Sequence, residues 1–264
     1  DMRLGALLVS LWPELRLFFT DHMGVKKPKK DLYHRWAYSK LQRLFSISHA
    51  THRTNLLAFP LPADRITQLY PGIDLNPYKQ TLSESERAWL RNDLGVPRNT
   101  LGIALPGRIC EEKGHMVWVE ALNYLAQFPG IPSWHGVIIG EPAGKDAEPG
   151  GFADKLKSQI ELFGLTENIT FTGFLPNLAR SLLALDLVCI PSANEAFGLS
   201  VIEAMAAACP VIGSSSGSLT ELITSDRGFM AAPDDPEGWA QIMAWVMQND
   251  GLRNRAGKNA SFWV

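Results

Sequence analysis

The sequence contains little cysteine and no long apolar run. Its three cysteines, Cys110, Cys189 and Cys209, have a spacing that fits neither a disulfide framework nor a metal site. No apolar stretch approaches the roughly 18 residues that a membrane-spanning helix needs. No internal repeat, low-complexity tract or signal-peptide pattern is visible in the 264 residues. These absences favour a globular protein of the cytoplasm.

An excess of charge of one sign is also missing. The formal net charge is -2 and the isoelectric point is near 6.3, so there is no general reason to expect nucleic-acid binding. The six histidines show no spacing typical of metal ligands. One local exception is a basic segment at residues 26–43, which is either a solvated loop or a contact for an anionic acceptor or for lipid headgroups at a membrane. Its cations are Lys26, Lys27, Lys29, Lys30, Arg35, Lys40 and Arg43.

Hydrophobic periodicity predicts alternating helices and strands. The first stretch contains predicted helices at 4–11, 32–45 and 51–58, predicted strands at 15–20 and 65–70, and a short predicted strand between the second and third helices. Ser83 and Glu86 form a capping box for a helix that ends before Gly95. Further strands are predicted at 101–105, 136–139, 169–172, 187–190, 211–213 and 228–230. This alternation predicts an α/β fold with parallel sheets, which bind ligands at the carboxyl ends of their strands.

The segment from Ser192 to Ala208 is the most informative part of the chain. Gly198 stands just before a predicted helix, whose free first-turn amides form an anion site. Glu195 and Glu203 flank that helix start at a separation of eight residues. Two acids beside an anion site are explained if they bind sugar and ribose hydroxyls on either side of a bound diphosphate.

A basic loop precedes this segment, between a predicted strand and a predicted helix. Gly107 and Arg108 follow the strand, and Lys113 and Gly114 precede the helix. Two cations at the carboxyl end of a strand can neutralise a diphosphate leaving group. Taken alone, Arg108 and Lys113 are better explained as solvated charges beside two glutamates. Together with the 195–203 segment, they point to a nucleotide-sugar site.

The order of these motifs resembles that of family 4 retaining glycosyltransferases of the GT-B fold. The matching motifs are Gly-Arg-x4-Lys-Gly at 107–114, Phe-Thr-Gly-Phe at 171–174 and Pro-Ser-x-x-Glu-x-Phe-Gly at 191–198. The resemblance covers roughly residues 60–260, and several motifs in the correct order are more specific than one. It implies two Rossmann-like domains with parallel sheets, here a partial acceptor-side domain at 1–76 and a nucleotide-sugar-binding domain at 77–264. By the same resemblance, the sequence starts partway through the first domain and stops before the final helix.

The resemblance also assigns roles to single residues. It implies that Arg108, Lys113 and the amides near Phe197, Gly198 and Leu199 bind the diphosphate, and that Glu203 binds the ribose. Glu195 is implied to lie near the hydroxyls of the donor sugar. His22 follows a predicted strand where the family often carries a histidine facing that sugar, although a lone histidine is more often structural.

Three further positions have two interpretations. Gly140 corresponds to a turn under the nucleotide or simply ends its strand. Phe174 and Leu175 border the base pocket or serve in packing. The sequence departs from the family pattern at Ala208, Ser218 and Thr220, where glycine, glycine and proline are usual, and an added side chain there can fill space that a sugar hydroxyl needs.

The sequence thus predicts a glycosyltransferase that moves a sugar from a UDP- or GDP-sugar to an acceptor hydroxyl without a cofactor or metal, with retention implied by the resemblance. The expected acceptor is a glycan or a lipid-linked saccharide of polysaccharide biosynthesis, handled at the cytoplasmic face of a membrane. Two alternatives stay open. They are a non-catalytic nucleotide-sugar-binding module and a GT-B sugar-nucleotide epimerase.

Overall fold

The computed structural model describes residues 2–25 and 27–264. Contacts divide the chain into two compact units. The first contains the chain up to Gly72 together with Glu195–Phe197, and the second contains Ile73–Asn194 and Gly198–Val264.

The first unit is a three-stranded parallel sheet with three helices among its described residues. The strands pair in the order β1-β2-β3, and Leu44 of β2 is fully buried between its two neighbours. The elements are α1 (Met2–Leu11), β1 (Leu17–Asp21), α2 (Leu32–Ser39), β2 (Leu41–Ser46), α3 (His49–Ala58) and β3 (Ile66–Gln68).

The predicted helix at 32–45 is wrong over its second half. The helix ends at Ser39, and the chain enters β2 at Leu41. The apolar residues Leu41 and Leu44 fit a helical period. The strand is nevertheless the more stable structure, because both side chains are buried in it and its backbone forms hydrogen bonds with two neighbouring strands. Tertiary pairing therefore overrides the local pattern.

The second unit is built on a larger parallel sheet in which the strands pair in the order β6-β5-β4-β7-β8-β9. All six predicted strands are confirmed, with ends shifted by no more than two residues. Its strands are β4 (Leu101–Pro106), β5 (Trp134–Ile139), β6 (Ile169–Gly173), β7 (Leu187–Ile190), β8 (Val211–Ser214) and β9 (Phe229–Ala231). Its helices are α4 (Glu84–Asp93), α5 (His115–Leu125), α6 (Phe152–Leu162), α7 (Leu178–Ala184), α8 (Leu199–Ala206), α9 (Leu219–Leu222), α10 (Pro236–Gln248) and α11 (Asp250–Trp263).

The core of the second unit lies on both faces of this sheet. Every residue of β5, β7 and β8 is buried, which is the pattern of parallel strands covered on both sides. Trp118 of α5 and Trp239 of α10 are completely buried in the core. The capping box at Ser83 and Glu86 is confirmed at the start of α4.

An ion-pair cluster lies at the amino-terminal ends of the strands of the large sheet. Asp186, just before β7, accepts hydrogen bonds from Arg87 Nη2 at 2.6 Å, Arg91 Nη1 at 2.7 Å and the Gly102 amide at 2.8 Å. Arg91 also donates to the carbonyl oxygens of Ala184 and Thr100. The cluster therefore fixes α4 to the starts of β4 and β7.

Candidate functional site

The strand order reverses direction between β4 and β7. In doubly wound sheets, ligands bind outside the carboxyl ends of the strands at such a switch point. The loop after β4 contains Arg108, and the loop after β7 leads into α8. The loops that follow β4 and β7 approach each other closely at Gly114, because a Cβ added to this residue would lie 2.6 Å from the carbonyl oxygen of Pro191.

Two glycines bring the ends of β4 and β5 into direct backbone contact. The Gly107 amide donates to the Ile139 carbonyl at 2.9 Å. Gly140 has a φ of 148°, and a Cβ on it would overlap the carbonyl oxygen of Gly107. Only glycine fits this position without moving the loop. Gly140 is therefore part of the turn itself and does more than end β5.

The two predicted cations lie on the loop that follows Gly107. Arg108 is exposed, and its hydrogen bond with the Cys110 side chain raises the pKa of its guanidinium, which stays cationic. Lys113 ends a short 3-10 turn, and its side chain runs beside Gly107, since a Cβ there would lie 3.8 Å from Lys113 Cδ. Both cations thus lie at the carboxyl edge of β4.

A buried histidine directly follows this loop. His115 is the first residue of α5 and is completely inaccessible to solvent. Its ring nitrogens lack hydrogen-bond partners of ordinary geometry among the described residues. Burial lowers the pKa of His115 to about 4, so the ring is neutral at physiological pH.

The start of α8 presents main-chain donors. Gly198 precedes the helix with a φ of 104°, and no side chain in the described chain caps it. Val201 and Ile202 donate to the Gly198 carbonyl at 3.0 and 3.3 Å, whereas Leu199 and Ser200 occupy the first turn, where amides have no intrahelical acceptor. This end of the helix therefore attracts anions through its amides and its dipole.

Glu203 lies one turn further along α8 and is half-buried. Burial raises the pKa of its carboxyl group above the ordinary value. Tyr78, which the sequence reasoning missed, lies close enough that burial and the Glu203 charge together raise the pKa of its hydroxyl to about 12. Tyr78 follows the turn at 71–74, and no motif in the sequence connects it with Glu203.

A cavity of about 420 Å³ opens at this edge of the second unit. It brings together five predicted residues, namely Gly107, Arg108, Gly140, Phe174 and Leu175. Phe174 exposes 69% of its surface. The cavity also includes two polar residues that the sequence reasoning missed, Glu141 and Ser200. The remaining lining residues are Pro106, Ile139, Pro142, Ala143 and Leu178.

A larger cavity, of about 1080 Å³, lies at the opposite edge of the sheet. It is lined by the Asp186 cluster, whose charged groups already bind each other and the backbone. We therefore assign the candidate site to the smaller cavity, where the glycine turn, Arg108 and Ser200 of the first turn of α8 converge, whereas Lys113, Gly198, Leu199 and Glu203 are not among its lining residues.

Three predicted site residues belong by their contacts to the first unit. Glu195 and Phe197 precede Gly198 in sequence, and Phe197 is buried with its ring centroid 5.6 Å from that of Tyr70. His22 is exposed and directly follows β1. The roles expected for these residues remain predictions.

The departures from the family pattern fall on a compact turn and a helix end. Ser216 Oγ donates to the Ala193 carbonyl at 2.7 Å and lies 2.7 Å from Ser214 Oγ. Ser218 is completely buried, and Thr220 Oγ1 donates to the Gly217 carbonyl at 3.0 Å. Ala208 has a positive φ of 52°, a conformation that favours glycine.

In the basic segment, Lys26 lies outside the described residues. Arg43 donates to Thr67 Oγ1 at 2.7 Å, and Arg35 donates to the Lys30 carbonyl at 2.9 Å. No helix within residues 2–25 and 27–264 is long and apolar enough to cross a bilayer.

The sheet order and the site at its carboxyl edge define an α/β protein of the GT-B type. Residues 87–263 match the model of the family Glycosyl transferases group 1. The chain therefore belongs to that family.

Relatives in this family are longer than the chain. It is 32% identical over 204 residues to a D-inositol 3-phosphate glycosyltransferase of Nocardioides sp., with 74% of this chain and 44% of the relative covered. It is 35% identical over 167 residues to the lipopolysaccharide core biosynthesis mannosyltransferase LpcC of Rhizobium leguminosarum bv. viciae, with 63% and 46% covered. The matched region thus spans less than half the length of these curated relatives.

Solved structures show the same fold. Anabaena Alr3699/HepE, in complex with UDP and glucose, superposes with a TM-score of 0.85 at 24% identity over 99% of this chain and 70% of that one. The C-terminal domain of LpcC from Francisella tularensis gives a TM-score of 0.62 at 29% identity over 72% of this chain and 95% of that one.

Proposed function

We propose that this chain binds the nucleotide-sugar donor of a glycosyltransferase that moves a sugar from a nucleoside diphosphate to an acceptor hydroxyl. The observation that carries the proposal is the convergence of Gly107, Arg108 and Gly140 on one cavity at the switch point of the sheet. Family membership supports it, because the relatives are named as glycosyltransferases.

The charges suggest how the leaving group is stabilised. Arg108 and Lys113 neutralise the departing diphosphate, and the amides of Leu199 and Ser200 donate to its oxygens. A fixed cation and preorganised amides act on charge that develops in the transition state, so they lower the barrier to glycosyl transfer. These groups can do so without a divalent metal.

The acids then position the hydroxyl groups. Glu203, held in a half-buried position beside Tyr78, binds the ribose, whose hydroxyls provide the hydrogen bonds that a carboxylate in an apolar helix needs. Glu195 and His22 orient the hydroxyls of the donor sugar. In a front-face substitution the leaving phosphate oxygen takes the proton from the attacking acceptor hydroxyl, and the sugar keeps its anomeric configuration.

The acceptor in this proposal is a glycan or a lipid-linked saccharide of polysaccharide biosynthesis. The name of the mannosyltransferase relative, which mentions the lipopolysaccharide core, supports an acceptor of this class. The exposed cations of the basic segment suit a peripheral contact with the cytoplasmic face of a membrane. The protein then works in the cytoplasm.

Calorimetric titration of the chain with UDP, GDP and ADP, in EDTA and again in magnesium, tests the donor site. We expect one nucleotide to bind equally well under both conditions. Arg108→Ala and Glu203→Ala should each weaken its binding by about 1 to 3 kcal/mol through loss of charged hydrogen bonds. Arg98→Ala and Glu161→Ala, which remove exposed charges elsewhere in the second unit, should have no effect.

Absence of binding to all three nucleotides, or equal binding by the site variants and the wild type, would refute this assignment. A second candidate function is nucleotide-sugar binding without transfer, which the altered turn at Ser218 and Thr220 favours. Release of free sugar from the donor excludes that candidate, and tight donor binding without turnover supports it. An epimerised sugar nucleotide formed without any acceptor identifies the epimerase alternative.

A further inference from the structure

The candidate cavity contains an acid that the diphosphate does not require. Among the described residues that line it, the ionisable side chains are Arg108 and Glu141. A carboxylate repels phosphate, so Glu141 is not a ligand for the diphosphate. Because a carboxylate accepts hydrogen bonds, Glu141 in the cavity wall fits a part of the ligand that donates them.

The carboxylate of Glu141 is held against the turn that follows β6. Glu141 Oε1 accepts a hydrogen bond from the Phe174 amide at 3.3 Å. A Cβ added to Gly173 would lie 3.3 Å from the same oxygen, so the side chain rests directly on this turn. A carboxylate has about four acceptor positions on its two oxygens. Most of its accepting capacity therefore remains available toward the cavity.

Phe174 supplies an aromatic surface beside this acid. Its side chain is largely exposed and lines the same cavity. Exposed aromatic rings bind nucleobases by stacking, whichever base is present. The loops after β5 and β6 thus combine a stacking surface, which tolerates any base, with a carboxylate, which does not.

The common nucleobases differ in what they offer to a carboxylate. Guanine presents two adjacent donors, the N1–H and the 2-amino group, which match the two oxygens of a carboxylate as a bidentate pair. Uracil presents one N–H between two carbonyl oxygens, and adenine presents an amino group beside an acceptor nitrogen. Each of these places an acceptor against the carboxylate, which costs affinity.

We propose that Glu141 selects guanine, and that the donor of this protein is a GDP-sugar. This inference rests on the proposed function, because it concerns the base of the same nucleotide. The guanine ring lies against Phe174, and its N1–H and 2-amino group donate to the Glu141 carboxylate. Arg108 and Lys113 hold the diphosphate of the same molecule.

The first test compares GDP with UDP and ADP by calorimetry on the whole chain. Wild type should bind GDP about 10-fold to 100-fold more tightly than UDP, the difference typical of a charged hydrogen-bonded pair. Glu141→Gln places an amide donor against the guanine edge, so GDP affinity should fall by about the same factor, while UDP affinity should not fall, because the same amide can donate to a uracil carbonyl oxygen. Glu148→Gln removes an exposed acid from the same loop region outside the cavity lining and should change neither value.

The second test uses inosine diphosphate, which lacks the 2-amino group of guanine. Wild type should bind it about 10-fold more weakly than GDP, and Glu141→Gln should reduce that difference to about twofold or less. Comparing the two ligands in the two proteins isolates the contact between the 2-amino group of the base and the Glu141 side chain. It also separates base recognition from any general effect of the substitution on folding.

The outcomes distinguish the two proposals. If wild type prefers UDP or ADP, or if Glu141→Gln weakens all nucleotides alike, the guanine inference is wrong while the donor site stands. If no nucleoside diphosphate binds at all, the proposed function fails and the guanine inference fails with it. A GDP preference that disappears in Glu141→Gln and persists in Glu148→Gln supports both.

Discussion

Arg91 Nη1 donates a hydrogen bond to Asp186 Oδ2 at 2.7 Å, and this ion pair secures α4 against the amino-terminal edge of the large sheet. The two side chains expose only 13% and 16% of their surfaces. Arg91 also satisfies the Ala184 and Thr100 carbonyl oxygens. Its loss would leave a partly buried acid with fewer donors, which is more costly than the loss of an exposed pair.

We therefore expect Arg91→Ala to lower the free energy of unfolding by about 2 to 4 kcal/mol. The exposed pair of Arg180 and Glu86, with a 3.4 Å separation, provides the control. Arg180→Ala should cost less than about 1 kcal/mol. Urea unfolding of both variants at neutral pH measures the difference, and equal costs would contradict the role assigned to the Asp186 cluster.

Gly140→Ala should damage the nucleotide site. The new Cβ would overlap the Gly107 carbonyl oxygen, so the contact between the loops after β4 and β5 must open. We expect the affinity for the bound nucleoside diphosphate to fall by about 10-fold or more, which matches 1 to 3 kcal/mol of backbone strain.

Gly150→Ala is the matched control for this prediction. Gly150 also has a positive φ, of 74°, but nothing lies within 4 Å of its added Cβ. Its substitution should therefore lower stability by about 0.5 to 1 kcal/mol through the positive φ alone and leave nucleotide affinity unchanged. Calorimetric titration shows the distinction, and a Gly140→Ala variant that binds normally would disprove the close approach.

His115 should make stability depend on pH between about 4 and the ordinary histidine value. Its folded pKa, about 4, is below the pKa of 6.5 of an unperturbed histidine. In this window the unfolded chain binds more protons than the folded one, so stability falls as pH falls. The expected loss between pH 7 and pH 5 is about 2 kcal/mol.

Substitution of this histidine tests the assignment. His115→Leu cannot take up a proton, so its unfolding free energy should be about 2 kcal/mol less sensitive to pH over the same range. Denaturant unfolding at pH 7, 6 and 5 measures both slopes. A variant that retains the full slope would show that other groups carry the pH dependence.

Ala208→Gly should stabilise the protein. Ala208 adopts a φ of 52°, which costs an alanine about 1 to 2 kcal/mol that a glycine avoids, while the glycine loses about 0.5 to 1 kcal/mol of unfolded-state entropy. The net gain should be about 0.5 to 1 kcal/mol. Thermal unfolding should show a higher midpoint.

Ala126→Gly provides the opposite case. Ala126 also follows a helix and is exposed, but its φ is -59°, which suits alanine. The substitution should lower stability by about 0.5 to 1 kcal/mol. Changes of the same sign in both variants would indicate that the backbone conformation of Ala208 is not the determining factor.

The sequence predicts the second unit far better than the first. Apolar runs followed by glycine or proline define β4, β5 and β7, and the parallel alternation then places the 107–113 loop and the start of α8 at one edge. The strand at Leu41–Ser46 was predicted as helix up to residue 45, with a short strand placed only after it, because five or six residues do not separate the helical period from the strand period.

The missed site residues have a different cause. Glu141 and Ser200 line the cavity, and Tyr78 lies near Glu203, because of the paths that loops take in three dimensions. No spacing rule connects Glu141 with Phe174, which are 33 residues apart and joined by one hydrogen bond. Periodicity reveals the elements, whereas loop conformation decides which side chains meet beyond them.

The contact between Gly140 and Gly107 consists of backbone alone, whereas Glu141 and Phe174 are exposed side chains on the loops beside it. Substitutions at the two exposed positions remove little packing, so they cost the protein little during evolution. The part of the cavity that these side chains form can therefore diversify from one homologue to another while the glycine turn stays the same. A protein engineer can exploit the same division, by randomising positions 141 and 174 in a library whose members all retain the parent scaffold.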